Sequence, residues 1–313
     1  MICWGSWPNM QKLTDRAWRF ELFYWDYVWG IVIVSLLFAV TLGNSGTEGR
    51  SFWADMQQAD IRSCVSTMIG GVIFNAGNIL FVAAIAIAGM SVAFPIAAGL
   101  GLVIGVVTNY IAVPVGDPSY LFIGVVLIIG AMIFSGAAYK RLSQKQNKVS
   151  RKGILLSIAA GILFGFFYRF IAGSMAPDFD HPTAGKLTPY TAVVIFAIGA
   201  LLSNVLLNTL LMKKPISGNP VGYTDYFRGS TKNHLMGIAG GLIWGTGLIL
   251  SILSAGQAGY AISFGLGQGN AMIAAFWGVF IWKEFKNIAG TSGLLTWMFV
   301  CYIVGLILII LSR

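Results

Sequence analysis

"GGVIFNAGNIL", residues Gly70–Leu80, aligns without a gap with "GGLIWGTGLIL", residues Gly240–Leu250. The offset of 170 carries on past both segments: Gly89 meets Gly259, Phe94 meets Phe264 and Gly99 meets Gly269. Apolar, glycine-rich helices do match by chance. A gapless match that crosses a loop and pairs glycines repeatedly reads instead as an internal repeat.

Both segments lie in apolar runs of about 20 residues, long enough to cross a bilayer core about 30 Å thick as a helix. Seven more runs of that kind exist. The full set is Tyr24–Leu42, Ser66–Gly89, Ser91–Val113, Ser119–Tyr139, Gly153–Ser174, Pro189–Met212, Leu235–Ala255, Tyr260–Trp282 and Leu294–Leu311. The runs do not alternate in polarity, so membrane strands are excluded and helices satisfy the backbone in lipid. Composition agrees. The 313 residues are 57% hydrophobic and 10% charged, where a soluble domain carries about 25% charged residues. The chain reads as an all-α integral membrane protein. The net charge of +9 does not point to nucleic acid, because the basic residues sit in short loops between apolar runs. Cys3, Cys64 and Cys301 show no metal spacing, and neither a zinc site nor a disulfide framework follows.

"MICWGSWPNM" (Met1–Met10) opens the chain. At 1.5 Å per residue it rises only about 15 Å, half of a hydrocarbon core. It reads as the inner half of a first helix whose outer half this chain lacks. Counting it as helix one, the odd-numbered loops hold Lys12, Arg16, Arg19, Lys140, Arg141, Lys145, Lys148, Arg151, Lys152, Lys213, Lys214, Arg228, Lys232, Lys283 and Lys286. That is fifteen of the twenty basic residues. By the positive-inside rule these loops are expected in the cytoplasm, giving ten helices with both ends outside. The repeat is shifted by five helices, an odd number, so its halves are expected to have opposite orientation. Inverted repeats are characteristic of alternating-access carriers. The expected organisation is a first five-helix repeat at 1–139, a basic cytoplasmic linker at 140–152 and a second, inverted repeat at 153–313. The short loops suggest the inner (plasma) membrane of a prokaryote.

Polar groups inside spanning helices are costly and face a cavity or another helix. Asn75 and Asn78 share a helix face at i, i+3. Their amides suit a polar solute, or tie two helices together. Gln268 and Asn270 lie in "GLGQGN", where a helix can break and free its backbone groups, or where glycines simply pack. Asn204 and Asn208, at i, i+4, read more readily as helix–helix ties. Arg169 is the one cation within a span. It either holds a solute carbonyl through its planar fork or snorkels to Asp178 or Asp180. Phe164 and Tyr168 extend an aromatic wall beside it. Trp4 and Trp244 are platforms for a flat or sugar-like ring, although tryptophan also belongs at the membrane interface. Asp26, in "YWDYVW", reads as a solvated carboxylate at a helix start, and His181 and His234 as loop residues. No motif of an enzyme is present: no H-E-x-x-H and no nucleophile–histidine set within the spans. No ring of charge marks a channel filter.

"CWGSWPNMQKL" (Cys3–Leu13), "FYWDYVWG" (Phe23–Gly30) and "GGVIFNAGNILFVAAIAIAGMSVAFPIAAGLGLVIG" (Gly70–Gly105) together resemble the ureide permease family. That family lies in the drug/metabolite transporter superfamily, beside the glucose/ribose porters. The resemblance runs from Cys3 to the last helix. It implies ten helices in two inverted five-helix halves, no cofactor, and secondary transport of small polar solutes by alternating access. In plant members these are oxo-heterocycles such as allantoin, uracil and xanthine, moved with protons. In the sister porters they are sugars. Two departures stand out: no G-x-x-x-x-G-K-[ST] occurs in the chain, and the first helix is short. The remaining alternatives are a sugar uptake porter and an exporter of amphipathic metabolites or drugs.

Overall fold

The computed structural model describes residues 1–45, 49–142, 150–216, 218–286 and 288–313. The centre of the expected linker, 143–149 with Lys145 and Lys148, lies outside the described residues. The helices are α1 (Ile2–Ser6), α2 (Pro8–Lys12), α3 (Phe20–Val40), α4 (Leu42–Ser45), α5 (Phe52–Gln58), α6 (Ile61–Ala88), α7 (Met90–Ala112), α8 (Pro118–Leu142), α9 (Arg151–Ala172), α10 (Pro189–Lys213), α11 (Tyr223–Phe227), α12 (Thr231–Ala258), α13 (Tyr260–Gly267), α14 (Asn270–Phe276) and α15 (Thr291–Leu311). A π-helical stretch, Trp277–Ile281, continues α14. Among the described residues nine helices are long and apolar enough to cross a membrane. They coincide with the nine apolar runs, and most extend a few residues beyond them. The protein is an all-α, multi-pass integral membrane protein.

The opening residues form two short helices, α1 and α2, that meet at Trp7 before Pro8. Proline at the first position of α2 and again of α10 gives up an N–H that no helix start uses. "GLGQGN" does interrupt its helix: α13 ends at Gly267, α14 begins at Asn270, and Gln268 and Gly269 are bonded back only in tight turns, to Gly265 and Leu266. Single glycines with positive φ join α6 to α7 (Gly89, φ 79°) and α12 to α13 (Gly259, φ 84°). A side chain is strained in that left-handed backbone, so the two sharp connections need glycine.

The residues group into two compact units, and each draws on both halves of the sequence. The first contains Met1–Ser6, Gly77–Phe166 and Ala258–Arg313. Here α8 runs along α15 with Gly124 and Gly305 facing each other's carbonyl oxygens, and the Asp117 N–H donates to the Ser312 carbonyl at 2.6 Å. The second contains Trp7–Ala76 and Phe167–Gln257, and its core is two helix crossings of the same design. In one, Gly241 of α12 faces the Tyr27 carbonyl and the Gly30 Cα of α3, while Gly30 faces the Ile238 carbonyl. In the other, Gly71 of α6 faces the Phe196 carbonyl and the Ala200 nitrogen of α10, while Gly199 faces the Met68 carbonyl. Glycine lets the backbones meet, which is how helices gain packing where lipid offers no hydrophobic drive.

Candidate functional site

In the second unit, Phe74 and Trp244 occupy the matched positions of the two opening sequence segments, and their rings lie on each other, centroids 4.2 Å apart at 30°. Phe196 stacks on Trp244 (6.1 Å, 18°) and flanks Phe74 at 5.5 Å, with Phe167 at 5.4 Å from Phe74. Tyr27 approaches Trp244 at 6.4 Å and carries Trp7 on its other side at 4.7 Å. Trp244 is buried. Its ring therefore faces other aromatics, not a headgroup belt.

Asn75 follows Phe74 and is fully buried. Its Nδ2 donates to Ser203 Oγ at 3.0 Å, and its Oδ1 has no partner among the described residues. On α10, Asn208 Nδ2 donates to the Glu21 carbonyl at 2.9 Å, a helix–helix tie as expected. Asn204, one turn away, is 0% exposed, and neither of its amide atoms is bonded among the described residues. Tyr168 is buried, and its hydroxyl donates to the Ser251 carbonyl of α12 at 3.4 Å. Arg169 stands in the last turn of α9, with Nη1 beside Gly173. It makes no ion pair among the described residues. Asp178 is engaged within its own loop, accepting from the backbone N–H groups of Asp180 and His181.

In the first unit, Trp4 packs against Gly267 at the end of α13, where an added Cβ would sit 2.6 Å from the indole. Gly5 presses on Asn270 and Ile273, and Trp277 Nε1 donates to Ser6 Oγ at 3.0 Å. Trp4, Gln268 and Asn270 are thereby brought together at the break between α13 and α14. Phe164 meets Phe81 edge-on at 5.8 Å and packs over Gly77 and Gly101. Asn78, next to Gly77, has an unbonded Nδ2.

A polar cluster that the sequence did not disclose lies at the start of α12. Asp26 is not solvated: it is buried, accepts from the Tyr226 hydroxyl at 2.6 Å and pairs with His234 Nδ1 at 2.9 Å. His234 is a helix residue, because α12 begins at Thr231, ahead of the hydropathy run. Asn233 anchors that first turn by accepting from the Asp15 N–H and donating to the Asp15 carboxylate. Gly237 makes room for Asp26, whose Cγ would lie 3.2 Å from a Cβ there. Trp18 and Tyr226 flank the imidazole edge-on at 5.2 and 4.8 Å. Beside them opens a cleft of about 460 Å³ lined by Asp15, Trp18, Asp225, Arg228 and Asn233.

The Tyr226 phenol is held above its ordinary value of 10.0, first by burial, then by its hydrogen bond to Asp26 and the charge of that carboxylate. The sign follows from linkage. A folded-state value raised above the unfolded one gives stability that is complete below about pH 10 and is lost as pH rises toward the raised value. Tyr226→Phe is expected to flatten the alkaline side of a Tm-against-pH curve. An unchanged alkaline slope would show that the bond contributes nothing there.

Phe74 was readable from the sequence as the counterpart of Trp244. The Asp26 cluster was not, since its members lie some two hundred residues apart.

Over residues 1–312 the chain matches the family described as "Sugar transport protein". It is similar to ureide permease 1 of Arabidopsis thaliana, 24% identical over 98% of this chain and 93% of that protein. It is also similar to ureide permease 4 of the same plant, at 22% over 100% and 94%. A third relative is the probable ureide permease A3 of Vigna unguiculata, at 22% over 90% and 93%.

Proposed function

The chain belongs to the sugar transport protein family, and from that premise we propose that this membrane transporter of small polar solutes carries flat, uncharged oxo-heterocycles: ureides, nucleobases and their kin. One observation carries the reading. Phe74 and Trp244 form a ring-on-ring contact flanked by Phe196 and Tyr27, and Asn75 beside it holds an unbonded carbonyl oxygen. Aromatic faces with neutral amides and no full charge suit a flat neutral ring. The permease names of the relatives point the same way. Sugars are the second reading, favoured by the family's name, since ring faces and amides also bind hydroxylated rings.

Transport proceeds by alternating access between two inverted halves, 1–139 and 153–313, joined by the basic linker 140–152, with the basic loops in the cytoplasm and the chain in an inner or plasma membrane. The matched crossings Gly241/Gly30 and Gly71/Gly199 support that reading. A flat solute enters by parting Phe74 from Trp244. Asn75 and Trp244 contact it. Within the first unit, Asn78 and Phe164 are candidate solute contacts, as are Trp4, Gln268 and Asn270 at the helix break, where backbone groups are available. Tyr168 and Arg169 position their helix end.

The test is uptake of labelled allantoin, uracil and xanthine against glucose, ribose and rhamnose, normalised to the amount of folded transporter. Saturable heterocycle uptake is expected, reduced about tenfold or more in Trp244→Ala and less in Trp244→Phe. Sugar uptake alone would move the assignment to the second reading. No uptake of either class would remove both.

A further inference from the structure

We infer that Asn204 is the specificity-determining side chain of this carrier, reading the edge of a flat solute on which an N–H and a C=O lie side by side, as in a lactam, imide or ureide. The inference deepens the transport reading above and rests on it.

Asn204 is 0% exposed, and both Nδ2 and Oδ1 lack any partner among the described residues. Buried polar groups are nearly always bonded, and each one left unbonded carries an uncompensated desolvation cost. Leucine has nearly the same shape and would carry no such cost. The neighbouring polar side chains on α10 each make at least one hydrogen bond. Ser203 accepts from Asn75 and donates to the Ala200 carbonyl, and Asn208 donates to the Glu21 carbonyl. Asn208 Oδ1 is unbonded too, so what sets Asn204 apart is that neither of its amide atoms finds a partner among the described residues.

Its surroundings state what would make them. Asn204 follows Ser203, the residue that bonds Asn75, and Asn75 Oδ1 is unbonded too. Asn204 thus presents one amino group and one carbonyl oxygen without partners among the described residues. No carboxylate or cation is among them, so neither an anion nor a cation is matched. A carboxamide carries its acceptor and its donor side by side. It forms two parallel bonds with a solute edge carrying C=O next to N–H, the geometry by which asparagine reads an adenine edge. Phe74 precedes Asn75 and Phe196 lies two turns from Asn204 on the same two helices, which supplies ring faces for the flat body of such a solute.

The experiment compares uptake of uracil with that of 1,3-dimethyluracil, which keeps the carbonyls and lacks both N–H groups, in proteoliposomes of the full chain. Melting temperature is measured in parallel. The wild-type protein is expected to prefer uracil by about tenfold or more, since a site built to bond an N–H rejects the analogue lacking it. Asn204→Leu should melt no lower than wild type, raise the KM for uracil, and bring the two solutes within about threefold of each other. Asn208→Leu should melt lower and keep the preference. An Asn204→Leu variant that still prefers uracil overturns the inference. So does one that melts lower and loses all uptake evenly, which is the mark of an amide holding a structural water. A wild-type protein that takes sugars but neither heterocycle overturns this inference together with the substrate reading. Heterocycle uptake that is indifferent to Asn204 overturns this inference alone.

Discussion

Gly241→Val is expected to leave little or no folded protein. A Cβ at position 241 would run into the Tyr27 carbonyl and come within 2.8 Å of the Gly30 Cα and the Ile31 nitrogen. These are backbone atoms, so no rotamer change relieves the clash and α3 must move off α12. Overpacking costs typically 1–3 kcal/mol where side chains can yield. Here the cost is about 3 kcal/mol or more, because the crossing, the Phe74–Trp244 contact and the Asp26 cluster all depend on the position of α12. Gly71→Val should behave alike, since Gly71 meets the Phe196 carbonyl and the Ala200 nitrogen. Gly130→Ala is the control. Nothing lies within 4 Å of its added Cβ, and within α8 alanine gains about 0.5–1 kcal/mol over glycine. The check is the yield of monodisperse protein in detergent. A normal yield of Gly241→Val with an unchanged melting temperature would refute the account of the crossing.

Asp55→Ala carries the next largest expected loss. Asp55, in α5, is fully buried. One carboxylate oxygen takes the Thr188 backbone N–H at 2.8 Å and the Thr188 hydroxyl at 3.0 Å. The other takes Gln58 Nε2 at 3.0 Å and pairs with Arg50 Nε at 3.2 Å. The start of α10 is thereby fastened to α5. Removing Asp55 strips the buried Thr188 N–H and hydroxyl of their acceptor and leaves Arg50, about a fifth exposed, without its carboxylate, a loss of at most about 3 kcal/mol. The expected result is a fall in melting temperature with KM unchanged in whatever protein survives, because the clasp touches no solute. Asp55→Asn should recover part of the loss by keeping acceptors for Thr188. A KM shift in Asp55→Ala at unchanged melting temperature would be the contrary outcome.

The nine spans were legible because lipid leaves a helix only one length and one polarity with which to cross. The glycine crossings were half legible: the offset paired Gly71 with Gly241, but only packing reveals which carbonyl each one meets. Asn204 and Asn208 could not be told apart in the sequence. They are the same residue type on the same face, one turn apart, and what separates them is that the Glu21 carbonyl lies within reach of one and not the other. Asp26 was misjudged because its partners come from α11 and α12, and the apolar run that suggested where α12 begins starts one residue after His234. The Arg50–Asp55 clasp sits between spans, where no periodicity speaks.

The contact between Asn75 and Ser203 has a counterpart. At the other crossing the corresponding neighbours are Gly245 and Val34, which also meet, without a polar atom between their side chains. The same architectural joint thus exists once wet and once dry. On the transport reading proposed above, this is a division of duties between the two joints: the dry one keeps the scaffold, and positions 75, 203 and 204 are left to vary with the chemistry of the solute. New solute preferences in such a chain would then arise by exchanging a few amides and hydroxyls at one joint, with the helices that carry them left where they are.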